Sequence, residues 1–489
     1  MVLSNLEPKS VFYYFEKLTQ IPRESGNEKE VSDYCVNFAK ERNLSVYQDE
    51  YFNVIIRKPG TKGYENLPTV IIQGHLDMVC EKNMDTEFDF DTEPLQLIIK
   101  DDLLMANGTT LGADNGVAVA YGLALLDCND IPHPPLEVLL TTDEEVGMKG
   151  ALKLDCKQLK GKYFINLDTE EEGELLVSCA GGLKASINLQ KEVIDNKDEA
   201  AFKILIKGLK GGHSGMEIDK HRANSNKLMG RLLNELNDVI EYAIADIGGG
   251  LKDNAIPREA FATITLAEST IPALEKVVKN MEAVFRNEFK TSDPDIEIVL
   301  DKVENPHKVF SYNLKKNLLF LMLTLPDGIQ TMSADIKDLV VSSLNFGVLV
   351  NEEDKVKLIF AIRSSVKSKI YDIRNQIKAF ADFIGAEFIQ TAEYPEWEYN
   401  KESKLRDLFI RTYEEMYGKK PLIKAIHAGL ECGVFAEQIE GLDLISLGPD
   451  IFDVHTPKEN FSISSVKRTW EYLLEALKNF KDIETFDGQ

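Results

Sequence analysis

Residues 69–73, TVIIQ, are followed at once by GHLDMVCEKN, and this junction constrains the fold more than any other stretch. The five residues are uncharged and mostly β-branched, bounded by Gly and Pro, so they read as a buried strand. A strand that ends in His-Leu-Asp sets His75 and Asp77 on one side of the chain, two residues apart. Imidazole is a strong ligand for zinc, and a nearby carboxylate commonly orients such a ring through its second nitrogen. A single histidine at a strand end is as a rule structural. What matters is whether other strands end the same way.

They do. Asp114 stands just before the helix predicted from near Asn115 in LGADNGVAVAYGLALLDC. The buried run LEVLLTTDEE closes on Glu144 and Glu145, KYFINLD closes on Asp168, and DIFDVHTPKE adds His455. An aspartate before a helix is an ordinary N-cap, and an acidic turn is an ordinary solvated one. Five ligand-type positions at comparable places in the chain are harder to set aside, because carboxyl ends of strands in an open α/β sheet are where binding sites assemble.

The rest of the chain frames these segments. Its 489 residues call for two or three domains, and 44% hydrophobic with 28% charged residues describes a folded globular protein. Strands alternating with helices indicate an α/β domain with a mostly parallel sheet flanked by helices, over 1–185 and again over 398–489. Between them, 186–397 reads as an inserted α+β domain, with strands AFKILIKGL, FATITLAE, DIEIVLD, KLIFAIR and AEFIQT and helices near 221–244, 272–289 and 367–385. A net charge of −25 argues against nucleic acid and anionic membranes as partners. Six cysteines without paired spacing read as thiols of a reducing compartment. MVLSNLEPKSVFYYFEKL lacks a basic segment leading into an apolar one, so a cytoplasmic protein is expected.

The segments GHLDMV, LGADNGVAVA, TTDEEVGMKGA, GGHSG and VHTPKE resemble those of the di-zinc dipeptidase, aminoacylase and carboxypeptidase family. With NLDTEEEGELLVSCAGG and the chain length, the resemblance is strongest to its aminoacyl-histidine dipeptidases. It implies two divalent metal ions, with Asp114 bridging them. His75 and Asp168 would complete one metal site, and Glu145 with His455 the other. Asp77 would hold His75 from behind, Glu144 would be the general base, and the Asp114–Asn115 peptide bond would be cis. Aspartate at 168, where members acting on N-acylated substrates usually carry glutamate, favours a dipeptidase or aminopeptidase. In the inserted, lid-like domain the resemblance gives His213 the task of polarising the substrate carbonyl. Asn254, Arg363, His427 and Glu431 are its substrate-binding candidates. It also implies a homodimer formed through that domain.

The ligand set has imidazoles and carboxylates but no thiolate, which fits zinc and also manganese or cobalt. The expected activity is hydrolysis of small peptides, Xaa-His dipeptides including the β-alanyl-histidine type. An aminoacylase or carboxypeptidase-type amidohydrolase is the alternative, and a non-catalytic peptide-binding protein a more distant one.

Overall fold

The computed structural model describes residues 2–334 and 336–485. The chain divides into two compact units, one of residues 1–178, 397–425 and 430–489, the other of 179–396 and 426–429. The break therefore falls at Ser178/Cys179, earlier than 185/186, because Gly181–Gln190 is a ten-residue strand of the second unit's sheet. The short return at 426–429 was not expected from the sequence. There the Ala180 amide donates to the carbonyls of Ile426 and Ala428, at 3.1 and 3.0 Å.

The first unit is built on an eight-stranded mixed sheet. Its order is Ser45–Gln48, Val54–Lys58, Leu136–Thr141, Val70–His75, Tyr163–Asn166, Asp443–Ser446, Glu174–Cys179 and Leu422–Ile426. The expectation of a mostly parallel sheet holds at the centre, where Val70–His75 runs parallel to both neighbours and Asp443–Ser446 parallel to Tyr163–Asn166. Val54–Lys58 and Glu174–Cys179 pair antiparallel on either side. Alternate residues feed opposite faces: Val70 and Ile72 join the main core, whereas Phe164 meets the ring of Phe435 on helix Glu431–Gln438, 5.0 Å away.

The helix Ala113–Asp127 is buried along nearly its whole length and packs on Val70–His75. Its close approach needs Gly74, where a Cβ would lie 2.6 Å from the Ala118 Cβ. Helix Ile463–Lys478 starts at Ser462, whose hydroxyl accepts from the Ser465 amide. A second, four-stranded sheet escaped the sequence reading. It orders Ile451–Phe452, Asn460–Ser462, Leu103–Ala106 and Leu97–Lys100, and its first pair is a hairpin that carries His455 in the loop.

The second unit has a nine-stranded antiparallel sheet with helices Ser225–Asn237, Ile271–Glu288, Tyr312–Thr324 and Lys367–Ile384 contributing to its core. From Phe202 onward the strand Ala200–Lys207 alternates buried and half-buried residues, as a strand covered on one face does. No helix among the described residues is long and apolar enough to cross a membrane. None of the six cysteines forms a disulfide.

Candidate metal centre and imidazole–arginine cluster

Register brings the polar strand ends of the first unit level. His75 lies opposite Thr141 and Gln73 opposite Asn166, so Glu144, Glu145 and Asp168 follow their strands at the height of His75. Asn115 ties two of these ends together: its amide nitrogen donates to the Leu167 carbonyl at 2.9 Å, and its oxygen accepts from the His75 amide at 3.2 Å.

His75 is 1% exposed. Its Nδ1 lies 3.3 Å from Asp77 Oδ1, which leaves Nε2 facing Asp114 Oδ1 at 3.0 Å and Asp168 Oδ1 at 3.6 Å. Asp77 also accepts from the amides of Glu144 and Glu145, at 3.1 and 3.2 Å, and from Ser25 Oγ at 2.8 Å. One carboxylate thus fixes both the ring and the acidic loop. Asp114 turns its second oxygen, Oδ2, to His455 Nε2 at 3.1 Å, and the same nitrogen lies 3.0 Å from Glu145 Oε1. The Asp114–Asn115 peptide bond is cis.

Among the described residues, three sets have their donor atoms within 4.8 Å of one another: His75, Asp114 and Asp168; His75, Glu144 and Glu145; Asp114, Glu145 and His455. Asp114 is common to the first and third sets. Imidazole nitrogens and carboxylate oxygens are donors suited to zinc and to harder divalent ions alike. The electrostatics carry the mark of surplus negative charge. Burial pushes the Asp168 carboxyl up to about 6, with Asp114 and Glu145 adding to it. Burial likewise drives Glu144 well above the usual carboxylate range. Hydrogen bonds to Asp114 and Glu145 raise His455 to about 11. The residues fit a site for divalent cations.

The other predicted residues are elsewhere. Glu431 belongs to the first unit and is fully buried; its Oε2 accepts from Gln73 Nε2 at 2.5 Å and Thr141 Oγ1 at 2.7 Å. It does not join a donor set. His213, Asn254, Arg363 and His427 belong to the second unit. His213 pairs with Ala255, which places exposed Asn254 one residue away, and the Asn254 carbonyl accepts from the Ser214 amide at 2.9 Å. His213 Nδ1 accepts from the amides of Gly215 and Met216, at 3.3 and 3.0 Å, so its neutral ring carries the proton on Nε2. Arg363 donates from Nη1 to the Tyr394 hydroxyl at 2.7 Å, while its buried Nε has no acceptor among the described residues. His427 Nε2 and Ser343 Oγ are 2.7 Å apart. Burial, then the Arg363 charge, lowers both imidazoles, His427 to about 3.

The family model described as peptidase family M20/M25/M40 matches residues 71–479. The chain belongs to this family. It is a metallopeptidase-type hydrolase, as the motifs implied, and the likeness runs the length of the chain. The cytosol non-specific dipeptidase of Escherichia coli (strain K12) is 38% identical over 478 residues, spanning 97% of this chain and 98% of that one. The crystal structure of aminoacylhistidine dipeptidase from Vibrio alginolyticus superposes with a TM-score of 0.93 at 36% identity, covering 97% of each chain. Aminopeptidase PepT from Bacillus cereus shares the fold, with a TM-score of 0.56 at 17% identity over 97% of this chain and 99% of that one.

Three residues hydrogen-bonded to the main chain of the segments that carry the donor residues were not found from the sequence: Arg23, Asn115 and Glu459. All three act on main-chain atoms. Only Asn115 and Glu459 lie in segments singled out as motifs, LGADNGVAVA and VHTPKE, and the motifs alone gave them no task.

Proposed function

We propose that the chain is a cytoplasmic, metal-dependent dipeptidase that cleaves small unblocked peptides, Xaa-His dipeptides and the β-alanyl-histidine type among them. The observation that carries the reading is Asp114, whose two oxygens face the imidazoles of His75 and His455 at 3.0 and 3.1 Å. A carboxylate so divided suits a ligand shared between two cations. His75 and Asp168 would hold one ion, Glu145 and His455 the other. When bound, two divalent cations supply an acidified water as nucleophile and polarise the scissile carbonyl. Zinc is the first candidate, with manganese and cobalt as alternatives for the same donors.

The remaining chemistry falls to side chains. Glu144 is the general base: it takes the proton from the attacking water and hands it to the departing amine. Asp77 keeps the proton of His75 on Nδ1, which leaves Nε2 as a donor to metal. His213, with its proton on Nε2, is the donor to the carbonyl oxygen as negative charge grows there. Arg363 is the candidate for the substrate carboxylate, and Asn254, His427 and Glu431 are the further substrate-binding candidates. The second unit would act as a lid and as the contact of a homodimer, which sedimentation of the holoenzyme tests.

The deciding experiment compares Ala-His, β-Ala-His, a tripeptide and an N-acetyl amino acid on one preparation, before and after chelation and after zinc is returned. Turnover of the two dipeptides that disappears with the metal and returns with it is expected. Preference for the N-acetyl amino acid, or full activity in stripped protein, would remove the reading.

A further inference from the structure

Behind Asp114 lies an arrangement whose atoms do not enter the donor sets. Glu459 is 2% exposed, and its carboxylate accepts from four successive amides. Oε2 takes those of Leu111 and Gly112 at 2.8 and 2.9 Å, and Oε1 those of Ala113 and Asp114 at 2.8 and 3.2 Å. Arg23, also 2% exposed, grips the same region from its carbonyls. Its Nη1 donates to the carbonyls of Leu76 and Asp77, at 2.9 and 3.0 Å, and its Nη2 to that of Gly112. Gly112 has φ +65°, and a Cβ there would lie 2.4 Å from Arg23 Nη2; at Gly116 the distance would be 2.7 Å. The glycines of LGADNG thus leave room for a guanidinium.

The connections matter more than their number. Glu459 is four residues past His455 in the same hairpin loop, so the loop that carries one ligand grips the segment that carries another. Arg23 joins the segment of His75 and Asp77 to that of Asp114. A carboxylate accepting amide hydrogens makes charge-assisted bonds, and a buried anion near a buried cation avoids the cost of standing alone.

We propose that Glu459 and Arg23 are positioning residues of the metal centre: they hold the main chain of residues 111–114 so that Asp114 faces His75 and His455 together. The inference rests on the reading of Asp114 as a shared ligand. Its consequence is that each clamp sets metal affinity without touching metal. A glutamine at 459 offers one acceptor oxygen, and its NH2 group would meet amides that are themselves donors. An aspartate keeps the charge but is too short for all four.

Zinc binding by equilibrium dialysis, with circular dichroism to confirm folding and the metal-free melting temperature measured alongside, tests this. For the wild type, two zinc ions per chain are expected. Glu459→Gln should bind the second ion about 10- to 100-fold more weakly, the scale seen when partners of metal ligands are removed. Glu459→Asp should fall between, and Arg23→Lys should weaken binding as well. Should the glutamine variant not fold, the aspartate variant decides. Wild-type zinc affinity in a folded Glu459 variant, with only a lower metal-free melting temperature, would overturn the proposal and leave Glu459 a structural residue. Asp114→Ala should lose zinc; if it binds both ions normally, the shared-ligand reading falls and the clamp with it, whereas loss in Asp114→Ala without loss at 459 overturns the clamp alone.

Discussion

Histidine serves both units, and its acidity is driven in opposite directions. In the first unit hydrogen bonds to Asp114 and Glu145 raise His455 to about 11; in the second, burial and then the Arg363 charge lower His427 to about 3. His75 is raised as His455 is, although burial opposes it, because Asp114, Asp168 and Asp77 surround the ring. His213 is lowered as His427 is, by burial and by Arg363. A pocket of carboxylates makes its imidazoles hold protons where cations could sit instead. A pocket with an arginine keeps them neutral, and a neutral imidazole fixed by its hydrogen bonds is a donor of one defined proton. On the function proposed above, the same side chain would hold metal in one unit and donate to an oxyanion in the other.

Substitutions that separate metal holding from chemistry test this contrast. The largest effect is expected at Glu144. Glu144→Gln keeps size and polarity but removes the base, so kcat should fall about 100- to 10,000-fold, with zinc content by mass spectrometry unchanged. Activity within threefold of wild type would remove Glu144 from the proton path. A smaller effect is expected in the second unit. Loss of one donor to a developing oxyanion costs about 100- to 1,000-fold in kcat, and His213→Ala should show it in steady-state kinetics, again at full zinc content. If His213→Ala instead raised KM alone, the imidazole would be gripping the ground state, and the division between the units would need redrawing.

How much of this was legible from the sequence depends on what a residue acts upon. TVIIQ, LEVLL and KYFIN announce buried strands by composition, and the polar residues that follow them are conspicuous for that reason. The helix from Ala113 and the cap at Ser462 are likewise written locally. The small sheet was not, since Leu97–Lys100 and Leu103–Ala106 are only four residues each, and the former is largely exposed despite its apolar Leu97, Ile98 and Ile99. Val340–Asn351 was hidden by its serines and asparagines and by Gly347, where the register with Lys355–Ser364 shifts. Tyr312–Thr324 carries its apolar residues on most positions, which blurs a helical period. His427 and Glu431 are four residues apart in sequence, yet one belongs to the second unit and the other lies buried under the first unit's strand ends. Arg23 and Glu459 were silent because main-chain atoms, which every sequence has, are what they bind.

The subtlest test of the contrast between the two pockets is a stability measurement. His427 stays neutral in the folded state down to about pH 3, whereas an unfolded histidine takes up its proton near 6.5. Between those values the unfolded chain binds the extra proton, so stability rises with pH. The contribution is fully present above pH 6.5 and is lost as pH falls from there through the folded value. His427→Gln keeps a polar group beside Ser343 and cannot titrate. Urea unfolding monitored by a probe in the second unit should therefore show a shallower fall in stability from pH 7 to pH 5 in the variant, by on the order of 1 kcal/mol. Identical pH dependence in the two proteins would mean that His427 takes up its proton near 6.5 in the folded state as in the unfolded one. The second pocket would then leave this imidazole unshifted, and its opposition to the raised pair at the candidate metal centre would disappear.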